Sequence, residues 1–300
     1  MLPEIELKKL HQYRNCKAFT ILELVIIVAI VSLLLLLVTQ GSRFLEASHL
    51  KSIYNEGVRY KAAVTEFRNK YNFLPGDFPY SDKFFTTNCS SNASNCNGDG
   101  DGFVKTINLA EKNSAGYSEP LLFWRHLALA GYIEGRYTGK AQEVVADRDC
   151  DSYYLCCTKE DCPTSSYNQG IYSYYSWPDG NGANDQCGST SSYYPQNINI
   201  LHFGKYLKGG NNFNAVISAE KAYLIDSKFD DALPTRGVIQ ARNGQDILVS
   251  GKGSCMVTAS GVRTSNNNAY EQNYNYNSNL QSDQCVVGFF DLENSICQLP

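Results

Sequence analysis

Two places in the 300-residue chain set ionisable or ligand-forming side chains where they call for a chemical partner. The first is Glu23, the one carboxylate in the apolar stretch KAFTILELVIIVAIVSLLLLLV of residues 17–38, which past Lys17 contains no base. A charge in hydrocarbon costs at least about 2.5 kcal/mol on the more lenient scales and persists where something compensates it. Glu23 therefore needs a cation or a donor at its own depth. The second is Asn97-Gly98-Asp99-Gly100-Asp101-Gly102, with oxygen side chains at alternate positions and glycine at the sixth. That spacing wraps an EF-hand loop around Ca²⁺. Lys105 at the ninth position and Asn108 at the twelfth, where a bidentate Glu is expected, depart from the pattern. Calcium on Asn97, Asp99 and Asp101 would have to borrow ligands elsewhere, from Glu111 or a distant loop.

Other candidates are weaker. Asp226, Asp230 and Asp231 have the types for acid-base work, but ahead of Leu233-Pro234 they suit turn and capping roles. Of the four histidines, His11, His49, His126 and His202, His126 stands beside Arg125 and Trp124 in a helix-like segment and reads as structural. There is no Gly-x-Ser-x-Gly elbow, phosphate loop or paired-His zinc motif, so nothing argues for an enzyme. A net charge of -4 argues against a nucleic-acid partner, which needs a concentrated basic surface.

The elements that must position these residues follow from hydrophobic period. Residues 19–38 are long enough to span a bilayer. Beyond them Leu50, Ile53, Gly57, Tyr60, Val64, Phe67 and Tyr71 recur at steps of three and four, one face of a helix. Together they predict one helix over 19–71, on the order of 80 Å long, with a transmembrane half (19–40) and an amphipathic half (41–72). Asn72-Phe73-Leu74-Pro75-Gly76-Asp77 ends it, since Pro75 turns Leu74 out of helical geometry. Residues 73–300 form the globular part. Residues 118–131 predict a short helix with Ser118 as cap, Pro120 in its first turn and Gly131 at its exit, and with Leu121, Leu122, Trp124, Leu127 and Leu129 in the core. Strands are expected at 222–225, 237–241, 246–249 and 285–292. The Ser/Tyr/Asn/Gly-rich stretches 163–196 and 263–282 read as surface loops. The fold class is α+β.

The junction carries a resemblance. A basic leader (Lys8, Lys9, Arg14 and Lys17 against Glu4 and Glu6), then Ala18-Phe19-Thr20, two aliphatics and Glu23, resembles the processing signal of type IV prepilins and type II secretion pseudopilins. The resemblance implies removal of residues 1–18 by a prepilin peptidase between Ala18 and Phe19, and N-methylation of Phe19. It further implies assembly with other pilin or pseudopilin subunits on an inner-membrane platform, with Glu23 as the assembly residue. Ala18 stands where the family usually has Gly, and the usual helix-kinking Pro is absent, Gly41 lying near its place. The implied fold is pilin-like, a long N-terminal helix packed on an antiparallel sheet with disulfide-bearing loops. The implied location is the bacterial inner membrane, N-terminus cytoplasmic, with the C-terminal domain in the periplasm or in a filament, which fits the basic excess before the span. The runs LPGD, NCNGDGDGF, WRHLALAGYIEG and KFDDALPTRGV also recur, in this order, in pilin-like proteins. Open alternatives are a non-polymerising anchored adhesin and an anchored periplasmic enzyme.

Of 11 cysteines, Cys16 lies in the leader and the rest between Cys89 and Cys297. An even set behind an export span reads as disulfides in an oxidising compartment. Short-range candidates are Cys89 with Cys96 and Cys285 with Cys297, while the adjacent Cys156 and Cys157 need separate partners. The thiol-dense residues 149–162 lack the CxxC spacings of a zinc site.

Overall fold

The computed structural model describes residues 19–85, 89, 96–104, 118–139, 162–177, 198–205, 214–234, 236–244, 255–258, 274–277 and 282–290. The leader, Lys105, Asn108, Glu111, Cys156, Cys157, Cys297 and the expected strand at 246–249 lie outside these residues. The chain divides into two units, Met1–Ser48 and His49–Pro300.

In the first unit the sequence forms the start of α1 (Ile21–Tyr71), whose residues 21–38 are long and apolar enough to cross a membrane and are buried nowhere. The helix runs unbroken through Gly41, where an added Cβ would meet nothing. In the second unit the predicted face of α1 is the buried one: Leu50, Ile53, Gly57, Tyr60, Val64 and Phe67 are covered, and Tyr71 is half-buried. Gly57 is there for contact, since a Cβ at this position would lie 2.9 Å from the Phe289 ring. The helix closes at Asn72, whose φ of 59° is left-handed and whose N–H donates to the Arg68 carbonyl at 2.8 Å. Asn tolerates that conformation better than most residues.

An antiparallel sheet follows in the order β1 (Gly170–Trp177), β2 (Ile198–Lys205), β7 (Asp283–Phe290), β3 (Ile217–Ser218), with β4 (Ile239–Asn243) also paired to β7. A separate two-stranded ribbon joins β5 (Met256–Thr258) to β6 (Tyr274–Tyr276). The short α2 (Ser81–Phe84) and α3 (Glu119–Leu129) lie between α1 and β1 in sequence, and α4 (Ala219–Phe229) follows β3. The core is aromatic where α1, α3 and β1 converge. Tyr60 meets Trp124 and Tyr172 edge-on at 5.2 and 5.0 Å, and Tyr174 stacks on Phe123 at 4.0 Å.

Several expectations need correction. Residues 222–225 are helical, part of α4: Ser218 caps it by accepting the Lys221 N–H, and Ala219, Ala222, Ile225 and Asp226 bury one face at helical spacing. The stretch read as loop at 163–196 contains β1, because Tyr172 and Tyr174 bury their rings and the Tyr172 hydroxyl finds the Ile53 carbonyl at 3.0 Å. A tyrosine whose hydroxyl is satisfied behaves as a large apolar residue. The second such stretch, 263–282, likewise contains β6. Ser118 precedes α3 without a side-chain capping bond, Leu129 is only half-buried, and Phe123 takes its place in the core.

The cysteines divide similarly. Cys89 is bonded to Cys96, the short-range pairing expected from spacing. Cys285 is bonded to Cys255, not to Cys297. The reason is sheet geometry: Cys285 lies on β7 opposite Asn243 of β4, and Asn243 Oδ1 accepts the Cys255 N–H at 2.7 Å, delivering that thiol to β7. Cys162 is also disulfide-bonded. Non-reducing peptide mapping should recover a Cys255–Cys285 linked peptide. Cys255→Ser should cost about 3–4 kcal/mol, the loop-closure value for a separation of 30 residues. Recovery of Cys285 linked to Cys297 would refute the pairing.

Candidate functional site

Two sites hold the chemistry-bearing residues. At the start of α1, Thr20 and Glu23 form a reciprocal capping pair: the Glu23 N–H donates to Thr20 Oγ1 at 3.2 Å, and the Thr20 N–H donates to Glu23 Oε2 at 3.4 Å. This is the Ser/Thr-x-x-Glu capping box, which satisfies helix-terminal donors that nothing else reaches. The signal was in the sequence as TILE but was eclipsed by the unusual charge. Glu23 thus has a partner within its own chain, and the box lies wholly beyond the Ala18-Phe19 junction. Ala18 itself is outside the described residues; Phe19 is exposed.

The second site lies beyond the C-terminal end of α1, where the LPGD turn, the Gly/Asp loop and α3 meet. The LPGD turn brings Asp77 fully into the interior. Its Oδ1 accepts the N–H groups of Gly100 (2.7 Å) and Asp101 (3.0 Å), and its Oδ2 that of Gly102 (2.9 Å). The Gly/Asp loop is therefore wound around a protein carboxylate. Glycine is required at two points of this contact. A Cβ at Gly98 would lie 2.3 Å from the Gly76 carbonyl oxygen, and one at Gly76, where φ is +88°, 2.4 Å from that of Glu119. From α3, Glu119 Oε1 accepts the Asp99 N–H at 3.0 Å, and His126 closes the knot. Its Nδ1 accepts the Gly76 N–H at 2.9 Å, which places the ring proton on Nε2, 2.7 Å from the Cys96 carbonyl oxygen and 3.0 Å from Ser81 Oγ. The Cys89–Cys96 bond fixes the same loop covalently.

The structure separates the three residues read as calcium ligands. Asn97 is turned to Asp82, accepting its backbone N–H at 2.9 Å and donating to its carboxylate at 2.8 Å. Asp101 is exposed, and its Oδ1 accepts the Phe103 N–H. Asp99 joins Asp77 and Glu119, the three offering carboxylate oxygens within 4.8 Å of one another. Hard oxygens of this kind suit Ca²⁺, though three carboxylates fall short of its usual six to eight ligands. Burial, the largest influence, pushes the Asp77 carboxyl up to about 6 against the pull of its backbone donors, and the Asp99 charge adds to the rise.

The second acidic group is structural. Asp226 accepts the Tyr276 hydroxyl at 2.7 Å and the Ala232 N–H at 3.0 Å, Asp230 accepts the Ile239 N–H, and Asp231 the Leu233 N–H. These bonds hold the turn of the KFDDALPTRGV run. His202 is buried on β2, and the His49 ring lies 6.3 Å from that of Tyr167. Compared with protein-family models, with curated proteins and with solved structures, the chain matches none.

A pH dependence follows from the knot. Burial pushes the His126 imidazole down to about 4, with the Arg125 cation adding to the effect. Between about pH 6.5 and 4 the unfolded chain holds that proton and the folded chain does not. The His126 contribution is thus complete above pH 6.5 and falls as pH drops toward 4. Asp77 runs the other way: its folded form keeps a proton from about pH 3.8 to 6, so its contribution falls as pH rises through that window. His126→Gln isolates the first effect. It should cost about 1–3 kcal/mol at pH 7, and its deficit relative to wild type should shrink by up to about 3 kcal/mol by pH 4. Denaturant titrations across this range measure both. Parallel wild-type and variant profiles would show that His126 does not titrate as described.

Proposed function

We propose that this chain is a pilin-like structural subunit, cleaved between Ala18 and Phe19 by a prepilin peptidase and assembled through α1 into a type IV pilus or secretion pseudopilus. One observation carries the reading. Residues 21–38 present apolar side chains on every side of α1, are exposed among the described residues, and have Glu23 as their one ionisable group. Such a surface needs lipid or other helices around it. The mature chain would be anchored in the inner membrane before assembly, with residues 49–300 on the far side.

Cleavage would create a cationic amine on Phe19, close to the depth of Glu23. In a filament, a neighbouring subunit's amine then offers the Glu23 carboxylate the charge that the capping box does not supply, and one ion pair offsets two desolvation costs. The capping box makes the two roles separable. Glu23→Gln keeps a side chain that can cap and loses the charge, whereas Thr20→Val keeps the charge and loses half the box.

Mass spectrometry of the membrane-extracted protein should therefore find Phe19 at the N-terminus, methylated. At equal membrane levels, Glu23→Gln should be absent from sheared filaments or pseudopilus crosslinks, and Thr20→Val should be incorporated. A retained leader, or absence of the wild-type chain from such filaments, would favour a non-polymerising anchored protein, and Glu23→Gln entering filaments like wild type would overturn the role of Glu23.

A further inference from the structure

We infer that a cleft beside the C-terminal end of α1 is a binding site for a neutral saccharide. The cleft has a volume of about 540 Å³ and lies within the 49–300 unit, a size in the ordinary range for small-molecule sites. Two half-buried rings line it, Phe73 and Phe103. Phe73 is held in place edge-on to Tyr80 at 5.9 Å and tilted against Phe78 at 5.7 Å. Planar polar groups line it as well: Arg68, Asn72, Asp101 and Asn199. The Asn199 amide is oriented, because its Oδ1 accepts the Ser176 hydroxyl, whose oxygen in turn accepts the Val104 N–H at 2.8 Å. Gly102 borders the cleft with open space where a Cβ would stand.

This lining selects a ligand class. Among the described lining residues one guanidinium stands against the carboxylates of Asp77 and Asp101, a net charge of at most -1 that disfavours a phosphate and is too small to hold a polycation. Asp77, the other acid at the cleft, has both oxygens committed to loop N–H groups. A purely apolar ligand would leave the amides and charges desolvated without partners. What remains is a molecule with C–H faces for the electron-rich ring faces and closely spaced hydroxyls for forked donors and acceptors. A pyranose has both.

The test uses the full chain in lipid nanodiscs, without glycosidic detergent, and the probes cellobiose and N,N′-diacetylchitobiose, with inorganic phosphate as a control. Saturation-transfer NMR and calorimetry should show saturable binding of at least one disaccharide, with Kd of about 1 mM or tighter. Phe103→Leu, which keeps apolar bulk and removes the ring face, should weaken it at least about fivefold. So should Asn72→Gly, which keeps the left-handed backbone and removes the amide. Both variants should melt within about 3 °C of wild type. Neither disaccharide binding up to about 20 mM, equal binding by wild type and both variants, or competition by phosphate would each overturn the assignment. The result stands apart from the assembly reading, since both variants lie outside the apolar half of α1 and filament recovery is scored separately.

Discussion

A carboxylate taken out of water must find donors or a proton, and Asp77 finds three backbone N–H groups from a single loop. Much of the second unit is arranged around that exchange. The loop residues 100–102 offer successive N–H groups because two of them are glycines in left-handed conformation. The turn that delivers Asp77 also delivers the Gly76 N–H to His126, and His126 reaches it from the buried face of α3. The same helix places Trp124 and Phe123 against α1 and β1. Polar satisfaction and apolar packing are thus coupled at α3: moving one disturbs the other, the condition under which a buried polar network specifies a unique arrangement.

How much of this was legible in sequence differs by element. The long helix and its buried face could be read directly, because a period of three to four sustained over more than twenty residues leaves little room for other structures. The end at Asn72 was equally plain from Pro75 and Gly76. The Gly/Asp loop was recognised as special but for an incomplete reason. Its spacing suggested a ring of side-chain oxygens around a cation, while the structure uses its N–H groups around Asp77. Both readings come from the same glycines. The partner sits more than twenty residues upstream, and no local pattern ties it to the loop.

The sheet was less legible. GIYSYYSW has the composition of a surface loop and the behaviour of a core strand, and what decides is that the Tyr172 and Tyr174 rings fill the core, the Tyr172 hydroxyl reaching the Ile53 carbonyl of a distant helix. AEKAYLIDSKF erred in the other direction: four consecutive apolar residues suggested a strand, while the capping Ser218 and the helical spacing of Ala219, Ala222 and Ile225 determine the outcome. The Cys255–Cys285 bond belongs with these. It is set by β4 and β7 lying side by side, which no spacing along the chain discloses.

The contact between Gly57 and the Phe289 ring acts as a key for the azimuth of the helix. Glu56 or Val58 brought to this point would drive a Cβ into the ring, so α1 can neither slide by a residue nor roll about its axis without unseating β7. Whatever approaches the outer side of the helix in this unit then meets the same side chains each time, among them Asn55, Arg59, Ala62, Glu66 and Asn69. An absent methyl group on the inside thereby determines which side chains the helix shows to the outside.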